Sequence, residues 1–305
     1  MPAFKEKLKK ILGSRFKANH PLAALTTFGI GGPADYYGEI HSREELQAVC
    51  GEAKKTDIAV TALGFGSNVL ISDQGVRGMV IRLDGNFKDF SINREGAVVA
   101  GAAARLPKLV TVLAEKGYQG MEALVGVPGT VGGGIFMNAG TREGEIKDHL
   151  LSAAVFSLKD GRFCDWAAKD IGFGYRHSSF QKSQDIIVAA TFKFPLAENK
   201  KDVSNRIKSL MERRKITQPV DTKNVGSIFQ NPPGDYAARL IEAAGLKGTR
   251  MGGAVVSDRH ANFIVNLEQA KASDVRALIE IVRRTVREKF GVDLNTEVRM
   301  LGEFR

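Results

Sequence analysis

The spacing of apolar positions predicts a chain of alternating helices and strands. Helical spacing begins in the first turns of the chain, where Phe4, Leu8, Ile11 and Leu12 recur on one face. Helices are also predicted after a capping box at residues 42–45, after Pro107, over residues 203–215, from Asp235 as cap to Gly245, and after Ser273 as cap. Apolar runs between turn residues predict strands at residues 58–63, 79–83, 87–93, 97–103, 151–158, 186–194, 262–267 and 296–301.

Polar stretches between these elements divide the chain into four predicted parts. Residues 1–17 form a basic N-terminal arm, residues 18–85 a small α/β domain, and residues 86–198 a second domain that opens with a hairpin. The polar stretch at residues 195–202 has the composition of a linker. Residues 199–305 then form the last domain.

Two glycine-rich runs are the most informative local patterns. The run from Gly126 to Gly134 contains five glycines in nine residues, and the run from Gly64 to Leu70 follows the predicted strand at residues 58–63. Glycine has no Cβ, so the backbone can come close to a ligand, and successive N–H groups can bind a phosphate. A glycine-rich turn between core elements remains the alternative for either run.

Neither run is a common nucleotide motif. No Lys-Ser or Lys-Thr pair follows the glycines, as a P-loop requires. The shorter run has Val69 at the third glycine position of a Rossmann fingerprint and does not continue into a helical pattern. Two phosphate-competent loops would suit the two phosphates of a dinucleotide held by another scaffold.

Composition indicates a globular protein of a reducing compartment. The chain has 305 residues, of which 43% are hydrophobic, and no apolar run reaches the roughly 18 residues of a membrane span. The first ten residues lack the apolar segment of a secretory signal. Cys50 and Cys164 stand alone, without metal-ligand or disulfide spacing, so we expect a cytoplasmic protein without a bound metal.

The charge of the chain permits more than one interpretation. The formal net charge is +10, and residues 1–20 carry six Lys or Arg against one Glu. A basic amphipathic helix can bind a membrane or a nucleic acid. We favour a helix docked by its apolar stripe, and we expect residues 1–16 to be dispensable for turnover. Positive charge also attracts phosphorylated and carboxylated small molecules.

Four polar clusters supply candidate chemistry, at residues 175–180, 223–232, 260–266 and 296–299. Each has an ordinary structural explanation when taken alone. These explanations are a surface ion pair for Arg176, a turn hydroxyl for Ser227, a loop histidine for His260 and a solvated strand carboxylate for Glu297.

The clusters and glycine runs together form an ordered set of motifs. In chain order they are Thr27-Phe28-x-Ile30-Gly31-Gly32, Gly64-x-Gly66-Ser67-Asn68-Val69-Leu70, Gly126-x-Pro128-Gly129-x-Val131-Gly132-Gly133, Asn138-Ala139-Gly140, Tyr175-Arg176-x-Ser178-x-Phe180, Gly226-Ser227-x-Phe229-x-Asn231-Pro232 and Glu297-Val298. From about residue 19 to its end, the chain resembles the UDP-N-acetylenolpyruvoylglucosamine reductases, which are FAD- and NADPH-dependent enzymes of peptidoglycan precursor synthesis.

The resemblance implies a fold and an activity. The fold would be α+β, with a two-part FAD-binding region of the vanillyl-alcohol-oxidase-like (PCMH) type and a C-terminal α+β domain that binds a UDP-sugar. The activity would be reduction by NADPH, through non-covalently bound FAD, of the enolpyruvyl group of UDP-N-acetylglucosamine enolpyruvate to UDP-N-acetylmuramate. A monomer that binds neither nucleic acid nor membrane is implied.

The resemblance also implies residue roles. The catalytic residues would be Arg176 and Glu297 at the substrate carboxylate and Ser227 as proton donor. The cofactor-binding residues would be Gly64, Phe65, Gly66, Ser67, Asn68, Val69, Gly126, Pro128, Gly129, Thr130, Gly132, Gly133, Asn138 and Gly140. The substrate-binding residues would be Tyr175, Lys215, Gln230, Asn231, His260 and Asn262.

The expected chemistry needs these residue types. Hydride addition to the terminal carbon of the enolpyruvyl group builds negative charge on the carboxylate, and a cation such as Arg176 placed there lowers the barrier. Glu297 beside that carboxylate would act as a protonated hydrogen-bond donor. Ser227 is a weak acid, so its proton donation needs a neighbouring cation, for which Lys215 and Lys223 are the nearest candidates in sequence.

The chain departs from the family pattern in one motif and lacks one feature. Thr141-Arg142-Glu143 follow Gly140 where small or aromatic residues are usual, which leaves the rim of the flavin site open. No inserted loop carries the nucleotide-covering Tyr of some members, which indicates the shorter subtype.

Two rival functions stay open at this level. An oxidase of the same flavoprotein fold would share the glycine runs but would not need Arg176, Ser227 and Glu297 together. A basic nucleic-acid-binding module would account for the net charge, although its cations are not interleaved with aromatic residues in a known binding motif.

Overall fold

The computed structural model describes residues 2–141, 143–183 and 185–304, without the side chain of Pro2. Within these residues the α-helices are α1 (Pro2–Leu12), α2 (Arg43–Lys55), α3 (Leu106–Glu115), α4 (Val131–Met137), α5 (Phe180–Ser183), α6 (Lys200–Thr217), α7 (Ala237–Ala243) and α8 (Ala272–Phe290). The strands are β1 (Phe16–Pro21), β2 (Pro33–Ile40), β3 (Val60–Ala62), β4 (Val69–Ile71), β5 (Val76–Leu83), β6 (Phe90–Ile92), β7 (Ala97–Gly101), β8 (Gly140–Thr141), β9 (Gly144–Glu145), β10 (Leu150–Ser157), β11 (Arg162–Ala167), β12 (Ile186–Lys193), β13 (Arg250–Met251), β14 (Ala254–Val256), β15 (Ile264–Asn266) and β16 (Arg299–Leu301).

The chain forms two compact units, each assembled from three separate segments. Unit 1 contains residues 1–18, 36–65 and 78–213, and unit 2 contains residues 19–35, 66–77 and 214–305. The first glycine run is therefore divided between the units after Phe65. The four predicted domains divide the chain differently and remain a prediction.

Unit 1 is centred on an antiparallel sheet with the strand order β11-β10-β12-β7-β6. The predicted hairpin is present as β6 and β7, in which Phe90 lies opposite Ala100. Side chains of α3 and α4 pack on this sheet, so Leu109 and Ile135 share a core with Val155 and Phe192. This core fixes the position of the second glycine run, from which α4 begins.

The N-terminal helix α1 belongs to the core of unit 1. Phe4, Leu8 and Leu12 are buried, and they pack in a cluster with residues of α2 and with Tyr36. Phe4 meets the Tyr36 ring edge-on, at 5.1 Å between the centroids. The predicted docking by the apolar stripe is confirmed. Removal of residues 1–16 would take these side chains out of the core, although their predicted dispensability for turnover is untested.

Unit 2 packs α7 and α8 on a small antiparallel sheet of β13, β14 and β15. A second contact joins the C-terminal strand to the first glycine run, since β16 pairs in parallel with β4. In this pairing Arg299 lies opposite Val69. The residue that precedes β16 by two positions, Glu297, is thereby held next to the glycine run.

The predicted cap of the last long helix is wrong. The helix α8 begins at Ala272, so Ser273 lies inside its first turn. The carboxylate of Asp73 accepts hydrogen bonds from the N–H groups of Ala272 and Ser273, at 2.7 and 3.0 Å. A carboxylate there satisfies helix-end donors and interacts favourably with the helix dipole. The cap comes from a residue 199 positions away in sequence from Ala272.

The cap of α7 also differs from the prediction. Tyr236 is the N-cap residue, and the Asp235 carboxylate accepts from the Tyr236 N–H and pairs with Arg239. The Ala237 N–H donates to Oδ1 of Asn231 at 3.1 Å. Asn231, a predicted substrate contact, therefore also fixes the start of this helix.

We expect Leu8→Ala to lower the free energy of unfolding by about 2–5 kcal/mol, the range for truncating a buried leucine. Leu8 is fully buried on the docked face of α1. Lys10→Ala, on the exposed face of the same helix, is the matched control and should change stability by less than about 0.5 kcal/mol. Urea unfolding measures both variants, and equal small effects would contradict the docking of α1 as a core element.

Candidate active site

The first glycine run offers backbone donors that the protein does not use. In unit 1, the N–H groups of Gly64 and Phe65 donate no hydrogen bond within the described residues. In unit 2, the same holds for the N–H groups of Gly66 and Asn68 across the part of the chain that the structure describes. Phe65, Gly66 and Asn68 are buried or half-buried, where backbone donors are almost always paired, so these unpaired donors fit an anionic ligand.

Only glycine fits the backbone conformation and the close packing at position 66 in unit 2. Its φ is +71°, and a Cβ atom there would lie 2.2 Å from the carbonyl oxygen of Leu25. The backbone is anchored nearby, because Thr27 N–H donates to the carbonyl of Gly66 at 3.1 Å. The glycine thus permits the close packing that shapes the loop.

The second glycine run is not a loop throughout, and that part of the prediction is wrong. The helix α4 begins at Val131, and Oγ1 of Thr130 caps it by accepting from the Gly133 N–H at 3.3 Å. Gly132 N–H donates to the Ala102 carbonyl at 2.9 Å, and Gly134 N–H to the Thr130 carbonyl at 2.8 Å. These donors are therefore occupied by the protein.

The unused donors of the second run lie before the helix. The N–H groups of Gly129 and Thr130 make no hydrogen bond within the described ranges. A Cβ atom on Gly132 would lie 2.9 Å from Cβ of Ala102, so Gly132 is needed for packing. A Cβ atom on exposed Gly133 would meet only Oγ1 of Thr130, at 3.5 Å, and would otherwise enter open space.

Asn138 holds the turn that carries Arg176. The Asn138 side chain is fully buried in αL conformation at the end of α4, with φ at +45°. Its Nδ2 donates to the Gly174 carbonyl and to Glu145, both at 2.9 Å. Its Oδ1 is buried without a partner in the described chain. The predicted cofactor residue thus positions the 174–177 turn and keeps one acceptor available.

Arg176 lies at the tip of a tight turn in unit 1. Gly174 and His177 exchange backbone hydrogen bonds of 3.0 and 3.1 Å, and Arg176 has a φ of +53°. Strained backbone of this kind is concentrated at functional sites. The guanidinium donates to the Gly140 carbonyl at 2.8 Å and lies 5.0 Å from the centroid of the Tyr175 ring. Gly140, Tyr175 and Arg176 are therefore neighbours.

The residues that follow Gly140 form a hairpin of β8 and β9. Oγ1 of Thr141 accepts from the Glu143 N–H, and the Glu143 carboxylate pairs with Arg206 at 3.4 Å. Arg142, the middle residue of the departure from the family pattern, lies outside the described residues.

In unit 2, the backbone of Glu297 is hydrogen-bonded to Ile228, the residue that follows Ser227. The Ile228 carbonyl accepts from the Glu297 N–H at 2.8 Å. The Glu297 carbonyl in turn accepts from Nδ2 of Asn68 at 3.2 Å. The backbone of Glu297 is therefore hydrogen-bonded both to the residue that follows Ser227 and to the first glycine run.

A cavity of about 450 Å³ opens beside Ser227 in unit 2. Its lining residues are Ser227, Asn231, Tyr236, Ala238, Arg239, Glu242, His260 and Asn262. The volume lies within the usual range for ligand pockets. Three of the predicted substrate residues, Asn231, His260 and Asn262, are lining residues, so the structure brings them together with Ser227.

Asn262 lines this cavity, yet its amide is occupied by the backbone of Phe229. Oδ1 of Asn262 accepts from the Phe229 N–H at 2.9 Å, and Nδ2 donates to the Phe229 carbonyl at 2.8 Å. The side chain is 3% exposed. Its role in the structure is to fix the segment that carries Ser227.

His260 is neutral in the cavity wall. Burial lowers the pKa of its imidazole, and Lys247 adds to this effect. Nδ1 accepts from the Asn262 N–H at 3.3 Å, which places the proton of the neutral ring on Nε2. The ring lies edge-on to Phe263, at 4.8 Å between the centroids. The neutral His260 ring therefore has a donor at Nε2 that is not used by the Asn262 contact.

Lys215 and Gln230 are not among the lining residues of the cavity. Lys215 is exposed in the last turn of α6. Gln230 donates its backbone N–H to the Asn295 carbonyl at 2.9 Å. Their substrate contacts remain a prediction.

Sequence reasoning missed two polar side chains near Lys215. The helix predicted over residues 203–215 would place Arg214 on a basic surface, but its Nε atom is buried, and burial lowers the pKa of its guanidinium. Nε of Arg214 and Oε1 of Gln218 have no hydrogen-bond partner in the described part of the chain. No local sequence pattern signals this burial, because it depends on tertiary packing.

The donor set fits a flavin dinucleotide better than a metal ion. Unpaired backbone N–H groups flank glycines in both runs, as a pyrophosphate would require. Among the described residues, no group of His, Cys, Asp or Glu side chains is arranged to hold a metal ion. The described helices include none with the length and hydropathy of a membrane span.

Two family models match the chain. A model described as FAD binding domain matches residues 34–166, and one described as UDP-N-acetylenolpyruvoylglucosamine reductase, C-terminal domain, matches residues 218–301.

Full-length relatives are similar over nearly the whole chain. UDP-N-acetylenolpyruvoylglucosamine reductase 2 of Symbiobacterium thermophilum is 41% identical over 304 residues, which cover 99% of this chain and 98% of the relative. The Staphylococcus aureus reductase of the same name is 38% identical over 294 residues, covering 96% and 94%. The first of these similarities includes the N-terminal helix, so the predicted start of the resemblance near residue 19 is wrong.

A solved structure has the same fold. The crystal structure of UDP-N-acetylenolpyruvylglucosamine reductase from Thermus caldophilus matches with a TM-score of 0.79 and 38% identity, covering 94% of this chain and 98% of that one.

We expect Gly133→Leu to purify without bound flavin, because its side chain would enter the open space at the start of α4. Gly51→Leu is the matched control: Gly51 lies in α2, and a Cβ atom there meets nothing within 4 Å. The ratio of flavin to protein absorbance measures occupancy, and circular dichroism checks folding. Full occupancy in the Gly133 variant would contradict the assignment of this surface to the cofactor.

Stability should fall as pH decreases through the range where His260 would protonate. The unfolded chain takes up a proton at its ordinary pKa of 6.5, whereas the folded chain resists protonation because its pKa is lowered. The free energy of unfolding should therefore decline from about pH 7 to the lowered pKa, and His260→Gln should reduce that decline. Urea unfolding at pH 7 and pH 5 tests this, and identical pH dependence in both proteins would refute it.

Proposed function

The chain belongs to the family of UDP-N-acetylenolpyruvoylglucosamine reductases, and we propose that Arg176, Ser227 and Glu297 carry its reductive step. The enzyme is an FAD-dependent oxidoreductase that uses NADPH to reduce UDP-N-acetylglucosamine enolpyruvate to UDP-N-acetylmuramate, in peptidoglycan precursor synthesis. The predicted family and fold class are confirmed by the two domain models and the Thermus structure. The observation that supports the assignment of Ser227 and Glu297 is the hydrogen bond from the Glu297 N–H to the carbonyl of Ile228, the residue that follows Ser227.

This membership removes both rival functions. The C-terminal reductase model covers residues 218–301, which an unrelated oxidase of the flavoprotein fold would not share. Relatives that match more than nine-tenths of the chain are named as reductases. A nucleic-acid ligand is therefore not needed to explain the positive charge. Phosphorylated substrates account for that charge instead.

The cofactor supplies the redox chemistry. When bound, FAD passes hydride equivalents from NADPH to the substrate alkene. The unpaired N–H groups of Gly64, Phe65, Gly129 and Thr130 in unit 1 would hold its phosphates. The predicted contacts of the remaining cofactor residues, namely Gly66, Ser67, Asn68, Val69, Gly126, Pro128, Gly132, Gly133, Asn138 and Gly140, belong to this proposal.

Arg176 would stabilise charge on the substrate carboxylate. Its guanidinium is already oriented by the Gly140 carbonyl and by the strained turn, so little reorganisation would be needed when charge develops. Tyr175, which is half exposed beside Arg176, would line the path by which the substrate carboxylate reaches the guanidinium.

Ser227 would give the proton to the α-carbon, and Glu297 would donate a hydrogen bond to the carboxylate. Ser227 precedes Ile228 and Phe229, whose backbone is fixed by Asn262, and Glu297 precedes β16, which is held by its pairing with β4. A fixed donor needs no rearrangement during proton transfer, which favours catalysis by a weak acid.

The cavity of unit 2 would bind the nucleotide part of the substrate. Arg239 and the neutral His260 offer donors, and exposed Tyr236 offers a ring at the rim. Lys215 and Gln230 would contribute from outside the cavity lining. We further propose a cytoplasmic monomer; the two free cysteines, Cys50 and Cys164, support the reducing compartment.

We expect Ser227→Ala to separate the two half-reactions. The variant should bleach its flavin on mixing with NADPH, since Ser227 has no part in that step. Reoxidation by the UDP-sugar should slow by at least about 10²-fold, the lower end for a general acid. Glu297→Gln should likewise spare flavin reduction and slow reoxidation.

Stopped-flow absorbance measures both steps. Ser273→Ala, an exposed serine in the first turn of α8 of the same unit, is the matched control and should match the wild type in both. Wild-type reoxidation in the Ser227 variant would make Ser227 a turn residue, and failure at flavin reduction would assign it to nicotinamide binding.

A further inference from the structure

Arg105 lies against the first glycine run within unit 1. Its guanidinium carbon is 3.2 Å from the centroid of the Phe65 ring. At this distance the planar cation stacks on the ring face, an arrangement that arginine adopts readily. Arg105 is therefore held in contact with Phe65, whose N–H group has no partner among the described residues.

The backbone of Arg105 is tied to the second glycine run. Arg105 and Thr130 form an antiparallel bridge, in which Leu106 N–H donates to the Gly129 carbonyl at 3.1 Å. A Cβ atom on Gly64 would lie 3.1 Å from Oγ1 of Thr130. Gly64, Phe65, Arg105 and Thr130 thus converge on one place in unit 1.

This place is rich in positive potential. The N–H groups of Gly64, Phe65, Gly129 and Thr130 donate to no acceptor within the described ranges. No Asp or Glu of the described residues forms an ion pair with Arg105. Partial burial and the neighbouring cation Arg82 lower the pKa of the Arg105 guanidinium. Two neighbouring guanidinium groups beside unpaired donors would be stabilised by a bound anion.

We propose that Arg105 is a cofactor-binding residue whose guanidinium neutralises a phosphate of the bound FAD. The inference rests on the proposed function, because it takes FAD as the ligand of the glycine runs. Stacking on Phe65 orients the guanidinium before the ligand arrives, and the fork of N–H groups matches two phosphate oxygens. NADPH also carries phosphates, so the shared chemistry is a nucleotide phosphate, and the experiment must distinguish its two sources.

The test compares the affinity of apoprotein for FAD among matched variants. Arg105→Gln removes the charge and keeps a planar group, whereas Arg105→Lys keeps the charge and loses the planar fork. Arg94→Gln removes an exposed charge from the β6–β7 turn of the same unit and is the control. Flavin fluorescence gives the Kd for FAD at low and high salt, without substrate or NADPH.

The Kd for FAD should rise about 10- to 100-fold in Arg105→Gln, as expected for the loss of a hydrogen bond between charged groups. It should rise less in Arg105→Lys and stay unchanged in Arg94→Gln. The salt dependence of the Kd should be weaker in Arg105→Gln than in the wild type, because one charge pair is gone.

Three results would overturn the proposal. An unchanged Kd for FAD in Arg105→Gln would show that Arg105 makes no contact with a phosphate of FAD. A Kd in Arg105→Lys as weak as in Arg105→Gln, with unchanged salt dependence, would show that Arg105 only supports the Phe65 ring. An unchanged Kd for FAD with a raised KM for NADPH and an unaltered KM for NADH would assign the cation to NADPH.

The proposal stays testable if Arg105→Gln fails to fold. The wild-type Kd for FAD must then rise with salt concentration, and Arg105→Lys must retain most of the affinity for FAD. A wild-type Kd that does not depend on salt would refute the proposal. Failure of the proposed function would appear separately, as wild-type holoenzyme that does not oxidise NADPH with the UDP-sugar.

Discussion

The amide of Asn262 holds the backbone of Phe229 on both sides, and the arrangement of the candidate catalytic residues in unit 2 depends on this pair of hydrogen bonds. Both are buried, where a hydrogen bond is stronger and an unpaired partner is costly. With Phe229 fixed, the preceding residue Ile228 presents its carbonyl to Glu297 and its N–H to the Asn262 carbonyl. A segment without regular secondary structure thereby gains the rigidity that a catalytic serine needs.

Glycine serves two different physical purposes in the two glycine runs. In the first run, the N–H groups of Gly64, Phe65, Gly66 and Asn68 have no partner among the described residues, and the close approach of Gly66 to Leu25 shapes the loop. In residues 132–134 the donors are occupied, and Gly132 lets α4 lie against Ala102. Glycine therefore leaves donors for a phosphate in the first run and permits close core packing in the second. Arg105 lies where the two runs meet in unit 1.

Local patterns were sufficient where structure is decided by neighbours in sequence. The apolar period of α1 predicted its buried face, and Ser42 caps α2 as predicted by accepting from the Glu45 N–H, whereas the Glu45 carboxylate accepts from the His41 N–H. Local sequence patterns did not predict helix ends that are capped by residues far away in the chain. Ser273 looked like the cap of α8, but Asp73 occupies those N–H groups from another part of unit 2, and no local pattern shows a partner so far away in sequence. Arg214 looked like a surface cation because burial of one guanidinium atom depends on tertiary packing.

The sequence by itself determined the family, the expected chemistry and the types of the residues that carry it, because ordered motifs such as Gly226-Ser227 and Tyr175-Arg176 preserve residue identity and spacing. Only the tertiary structure decided which groups are available. It showed that the Asn262 amide is hydrogen-bonded to the backbone of Phe229 and that the N–H groups of Gly132 and Gly133 donate within the protein. It also showed that Arg105 lies over the Phe65 ring. The reason is physical: a side chain or N–H group binds a ligand only if folding leaves it without a partner, and partners are assigned by contacts between residues far apart in the chain.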